Sequence, residues 1–248
     1  MSANPNPVRP GSTKRVLLIA ANPAVSTQTG WPIGFWYAEV THPYWAFTEA
    51  GYEVEIRSPD GGDLRADAYS DPEDPSGYSA HDLLSLGFKK SEAHAALLHG
   101  TQSSAGVQLE HYDALFVTGG QSPMYTMLEH AGLHALFAQF LEAGKVAAAI
   151  CHGTCLLLKA KKSDGTLIVD GKTWTGFANS EERYADDFVG QRIQPFWIED
   201  EARALEHTNF IVAPMFSAFA YRDGNFITGQ QQYSGARAAE LVIEALGR

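Results

Sequence analysis

KVAAAICHGTCLLLKA, residues 145–160, decides the reading of this chain. Val146 to Ile150 form an apolar run with β-branched residues at both ends, the mark of a buried strand. That run enters Cys151-His152-Gly153 without a linker, and an apolar helical stretch follows. A sharp strand-to-helix turn holds its central side chain over the carboxyl end of a sheet, where open α/β sheets bind ligands. The turn predicts Cys151 held over the sheet's carboxyl end with its thiol tuned toward thiolate by the free N–H groups and dipole of the following helix. Gly153 permits helix and strand to pack closely, and the His152 N–H is positioned as an oxyanion donor. A buried core thiol is the ordinary fate of a free cysteine, and Cys155, inside the apolar CLLL stretch, fits that description. At this level His152 is either a base or a turn residue.

The flanking sequence repeats the alternation. VLLIAA (16–21), YEVEIRS (52–58) and DALFVTG (113–119) read as further buried strands. Between 126 and 142, Leu133, Leu136, Phe137, Phe140 and Leu141 recur at helical spacing until Gly144, and 235–247 repeats the pattern. Apolar strands alternating with helices predict a mostly parallel sheet covered on both faces. NFIVAP, SAFAYRD and NFITG suggest shorter strands at one edge, antiparallel in part. Pro43 should break or kink the helix around Glu39. The polar stretch 59–80 is either a linker or a structured loop over a site. No repeat or linker divides the chain. Residues 1–14, with three prolines and no apolar signal core, read as a flexible leader before one α/β domain spanning 15–248.

Composition narrows the partners. The 248 residues carry 29 Asp and Glu against 18 Lys and Arg, a formal charge of −11. This leaves no basic excess for nucleic acid or an anionic membrane surface. No apolar run reaches the length of a membrane span. Two cysteines four residues apart exclude a disulfide framework, and the chain reads as cytoplasmic. His130 and His134 share a helix face but lack the HExxH form; with His94 and His99 they read as ordinary histidines, so no metal is expected. Gly119-Gly120 lacks dinucleotide spacing, and no cofactor is expected.

The strand–AxCHG–helix element resembles the ThiJ/PfpI superfamily, whose fold is flavodoxin-like and related to class I glutamine amidotransferases. The branch most similar contains heat-shock chaperones with glutathione-independent glyoxalase (glyoxalase III) activity. Residues 29–62, DALFVTGGQSP (113–123), LIVDGKTWTGFANSEE (167–182), IQPFWIEDEARALE (193–206) and 222–246 carry the resemblance over nearly the whole chain. It implies Cys151 as nucleophile and Glu39 as the group sharing a proton with it. Gly120 and His152 would supply N–H donors in a substrate site with Gly119 and Gln121. Glu182 would pair with His152, with Glu181 one residue away in register. Glu39 sits among apolar and aromatic residues, where desolvation raises a carboxyl pKa. An exposed helical Glu is the plain alternative.

The resemblance implies a stress-related, cofactor-independent enzyme that turns a 2-oxoaldehyde such as methylglyoxal into a 2-hydroxy acid such as lactate. It also implies a homodimer with a small carbonyl compound as partner. Departures fall at Gln121, Ser122, Thr126, Thr154, Gln231 and Gln232. They leave open a cysteine hydrolase, amidase, peptidase or hydratase on the same turn. A chaperone or redox sensor without turnover is the third reading.

Overall fold

The computed structural model describes residues 14–247. Apart from Lys14, the expected leader lies outside the described residues. In chain order the elements are β1 (Arg15–Ile19), β2 (Ala24–Val25), β3 (Pro32–Ile33), α1 (Tyr37–Glu49), β4 (Glu53–Ser58), α2 (Leu83–Lys90), α3 (Glu92–Ala95), β5 (Gln102–Ser103), β6 (Ala114–Val117), α4 (Pro123–Thr126), α5 (Ala131–Glu142), β7 (Val146–Ile150), β8 (Thr173–Trp174), α6 (Asn179–Val189), α7 (Ile198–Ala204), β9 (Asn209–Phe210), β10 (Ala220–Asp223), β11 (Phe226–Gly229) and α8 (Gly235–Ala245). A 3₁₀ stretch, Cys151–Leu158, follows β7 directly.

Seven strands form one sheet in the order β10-β11-β7-β6-β1-β4-β5. All neighbours are parallel except the edge pair β10 and β11. Both faces are buried, so successive strand residues enter different cores. Leu17, Ile19, Leu115, Val117, Ala147 and Ala149 pack on α5 and the 3₁₀ stretch. Val16, Phe116, Val146, Ala148 and Ile150 pack on α8 and on Phe47 of α1. This explains why the strands read as continuous apolar runs.

The chain first builds outward from β1 through β4 to β5, then returns to β6 and builds the other way through β7 to β11. The order therefore reverses between β1 and β6. Crevices at the carboxyl ends of strands beside such a reversal are where open sheets bind ligands. Gly119-Gly120 follow β6 at this point, and Cys151 follows the adjacent β7.

Four local expectations are corrected. The helix read over 126–142 begins only at Ala131, because His130 turns to cap α5 by accepting the Leu133 N–H at 2.9 Å. The segment after Cys151 is 3₁₀ rather than α. NFIVAP contributes β9, which pairs parallel with β8 outside the main sheet. Helix α1 is not broken at Pro43, which lies inside it. A proline has no N–H to return to the carbonyl four residues back, which here belongs to Glu39. The stretch 59–80 is a structured loop: Lys89 of α2 ties it down through Asp71 and Glu73, and Asp67 is fully buried.

Candidate active site

Cys151 is the first residue past β7 and takes φ +53°, the left-handed region that a residue with a Cβ rarely adopts. The following glycine is required by space. A Cβ on Gly153 would lie 2.4 Å from the Thr118 carbonyl oxygen. Thr154 closes the turn by donating its hydroxyl to the Cys151 carbonyl at 2.6 Å. Across from it, a Cβ on Gly120 would lie 2.5 Å from the Gly34 carbonyl oxygen, so the β6 turn and the entry to α1 touch backbone to backbone. These contacts place the first turn of α1, and with it Glu39, against the thiol.

Glu39 is fully buried. Its Oε2 accepts the Gly119 N–H at 2.6 Å, and its carboxyl is hydrogen-bonded to the Cys151 thiol. Oε1 has no nitrogen or oxygen partner. An ionised carboxylate here would leave charge unpaired in a dry site. Burial accordingly raises Glu39 from 4.5 to about 8, against smaller opposing effects of Cys151 and Gly119. The group holds its proton at neutral pH.

The thiol departs from the helix-terminus expectation. Burial first, then the charge of Glu39, push Cys151 well above its usual value. The N–H groups of His152 and Gly120 act on the sulfur in the opposite sense. Two desolvated acids side by side hold their protons jointly, and the pair rather than either residue titrates.

His152 reaches both ways. Its Nδ1 lies 3.5 Å from the Cys151 Sγ and its Nε2 2.9 Å from Glu182 Oε1. Phe177 stacks on the ring at 4.2 Å between centroids. Burial disfavours the imidazolium, but the charge and hydrogen bond of Glu182 outweigh it and hold His152 above its usual value. Glu182 is itself raised, because its burial outweighs the pull of His152.

The register of the two adjacent acids is clear. Glu182 faces His152, whereas Glu181 caps α6 by accepting the Ala178 N–H at 3.1 Å. Glu181 also accepts the Phe216 N–H and the Gln230 amide, each at 2.9 Å, and so holds the 213–217 loop. Cys155 is fully buried, its thiol donating to the Pro123 carbonyl at 3.4 Å.

A pocket opens on the sulfur. It has about 650 Å³ of empty space, part of it open to solvent, and Gly120, Gln121, Cys151, His152 and Glu182 line its floor. Of the positions that depart from the resembling family, Gln121 and Gln232 reach this lining; Ser122, Thr126, Thr154 and Gln231 do not. Sequence reasoning missed Asp67. Its two oxygens accept the Gly34 N–H at 2.9 Å and the Gln121 N–H at 2.7 Å, locking the α1 entry to the β6 turn. Burial raises it to about 7. One Asp within an Asp-rich loop offers no signal of that role. It also missed the aromatic wall. Tyr184 and Phe188, one turn apart on the otherwise charged NSEERYADDFV helix, were a legible signal.

Among the described residues, no group of three or more His, Cys, Asp or Glu could hold a metal ion. His134 Nε2 lies 2.9 Å from the Met127 carbonyl oxygen, and His130 is the α5 cap. No described helix is long and apolar enough to cross a membrane.

Fold and site together define a doubly wound α/β protein with a cysteine turn beside the sheet's reversal point. A family model described as ThiJ/PfpI family-like matches residues 32–210, and the chain belongs to that family. The probable glutathione-independent glyoxalase hsp3103 of Schizosaccharomyces pombe is 26% identical, over 96% of this chain and 100% of that one. The glutathione-independent glyoxalase HSP31 of Saccharomyces cerevisiae is 24% identical, over 94% and 98%. The solved Rapid Encystment Protein 24 KDa of Francisella tularensis superposes with a TM-score of 0.83 at 25% identity, covering 95% of this chain and 100% of that one. Glyoxalase III of Candida albicans shares the fold, with a TM-score of 0.77 at 23% identity over 94% and 97%.

Proposed function

We propose that this protein is a cysteine-dependent, glutathione-independent glyoxalase that converts a 2-oxoaldehyde to a 2-hydroxy acid. One observation carries the reading: a protonated, buried Glu39 and a Glu182-paired His152 flank the same pocket-facing sulfur. The names of the yeast relatives support it.

The chemistry follows from those four groups. Loss of one proton from the Cys151–Glu39 pair leaves sulfur and carboxyl sharing the other. The sulfur attacks the aldehyde carbon, a C–S bond forms, and the carbonyl electrons move to oxygen. The Gly120 and His152 N–H groups, already at the sulfur, steady that oxyanion. Glu39 gives it the proton, completing a hemithioacetal. The Glu39 carboxylate then takes the proton from the aldehyde carbon and returns it to the neighbouring carbon through an enediol, while the hydroxyl proton passes from the first oxygen to the second, leaving a 2-hydroxy thioester. Water activated by His152 cleaves the thioester, releases the 2-hydroxy acid and restores the thiol. Glu182 orients His152 and supports its positive charge.

The same reading takes residues 15–248 as one working domain, and the protein as a cytoplasmic homodimer whose partner is a small diffusible carbonyl compound. Sedimentation velocity checks the dimer. Purified protein should form lactate from methylglyoxal without glutathione, and Cys151→Ala should abolish this. Turnover that survives in the variant would remove Cys151 from the mechanism. Cleavage of amides or nitriles, with no action on aldehydes, would move the protein to the hydrolase or hydratase reading.

A further inference from the structure

The pocket above the sulfur is built from far more apolar surface than a methyl group can use. Its walls include the rings of Trp36 before α1, Tyr69 and Tyr78 from the 59–80 loop, Phe177 before α6, and Tyr184 and Phe188 on α6. They are set against one another before any ligand arrives. Tyr69, Tyr78 and Phe188 meet edge to face, with centroids 5.9–6.1 Å apart, and Trp36 meets Tyr78 at 6.0 Å. Aromatic rings prefer such offset and edge contacts, and a planar ring placed among them gains more of the same. Phe188 is 56% and Tyr184 42% exposed. Large aromatics left uncovered at a pocket mouth, on a helix otherwise rich in charge, call for an apolar occupant.

The lining contains no Lys or Arg to pair with an anionic tail. Its ionisable groups at the floor, Cys151, His152 and Glu182, are engaged with one another or with Glu39. Away from the reacting end the lining consists of rings and a few apolar side chains with the neutral amides of Gln194 and Gln232, so the remainder of the ligand meets mostly rings.

We infer that the preferred substrate is an uncharged 2-oxoaldehyde bearing an aryl group, with the dicarbonyl at Cys151 and the ring packed against the wall that Tyr78, Tyr184 and Phe188 form. This rests on the glyoxalase reading above. An added apolar group that fits such a wall changes kcat/KM by about tenfold or more. Phenylglyoxal should therefore exceed methylglyoxal in kcat/KM by at least about tenfold. Phe188→Ala, at an exposed position where the fold tolerates truncation, should lower the phenylglyoxal-to-methylglyoxal ratio by about tenfold, mainly through the KM of the aryl compound.

A labelling experiment reads the pocket without turnover. Phenacyl chloride and chloroacetone present the same alkylating group on an aryl and a methyl ketone. Their rates at Cys151, measured by intact mass and normalised to a free thiol, should favour the aryl reagent by about tenfold, and Phe188→Ala should erase the difference. Methylglyoxal turnover at or above that of phenylglyoxal, with equal normalised labelling, overturns the aryl assignment and leaves the glyoxalase reading intact. No turnover of either aldehyde, with aryl-selective labelling, overturns the glyoxalase reading and keeps the pocket's preference for aryl carbonyl compounds.

Discussion

Cys151 and Cys155 lie four residues apart in one helical stretch and are both buried, yet they have different surroundings. Cys155 sits inside the apolar cluster beneath α4, its thiol turned to a carbonyl, and burial pushes its pKa up. Cys151 is held at a strained turn and faces a pocket, two N–H groups, a carboxyl and an imidazole. Burial is common to both, so burial does not distinguish the two thiols. The turn and the groups that converge on it do.

Substitution at the two cysteines tests that contrast most strongly. Cys151→Ala should lower turnover of any 2-oxoaldehyde by about 10⁴-fold or more in steady-state assays, because the covalent step has no substitute. Glu39→Gln should lower turnover by about 10²–10⁴-fold, since it carries protons in two steps. Its effect on stability has the opposite sign. Between the ordinary 4.5 and the buried value of about 8, the unfolded chain ionises while the folded chain keeps its proton. Rising pH therefore favours the unfolded chain by about 1.4 kcal/mol per unit across that window. At pH 7 the difference is about 3 kcal/mol, and Glu39→Gln should recover much of it. Urea denaturation of both proteins at pH 5 and pH 7 reads this directly: the gap should be small at pH 5 and large at pH 7.

Smaller effects sharpen the comparison. Wild-type kcat/KM should rise with pH toward a limb near 8, as the Cys151–Glu39 pair loses its first proton, and Glu39→Gln should lack that limb. Glu182→Gln should cost about 10–100-fold in kcat, because His152 keeps its place but loses the charge that supports its protonation. Cys155→Ala should leave kcat/KM within about twofold and cost about 1–2 kcal/mol in the same urea titrations, the ordinary consequence of a small void in a packed core. A turnover loss in Cys155→Ala matching that of Cys151→Ala would erase the distinction between the two sites.

Much of the fold was legible because its strands are buried on both faces. A run such as Val146 to Ile150 needs no partner to identify it. The cysteine turn was legible because Cys-His-Gly at a strand end combines a sharp turn and close approach in three residues. Glu39 was visible as a carboxyl among aromatics, but only the fold shows that Gly120 brings α1 close enough for it to meet the thiol. Asp67 was hidden because its role is to accept two backbone N–H groups from segments 33 and 54 residues away. The direction of the Cys151 shift was also hidden. A helix terminus can be read from sequence, but the loss of water around the sulfur is a property of the assembled site.

The left-handed backbone at Cys151 has a consequence for substitutions that remove the thiol. A side chain at φ +53° is held there against the preference of the chain, at about 1–2 kcal/mol, and glycine would be free of that penalty. Cys151→Gly should therefore lose turnover as Cys151→Ala does and yet unfold at a higher urea concentration than Cys151→Ala, because only glycine removes the strain together with the thiol.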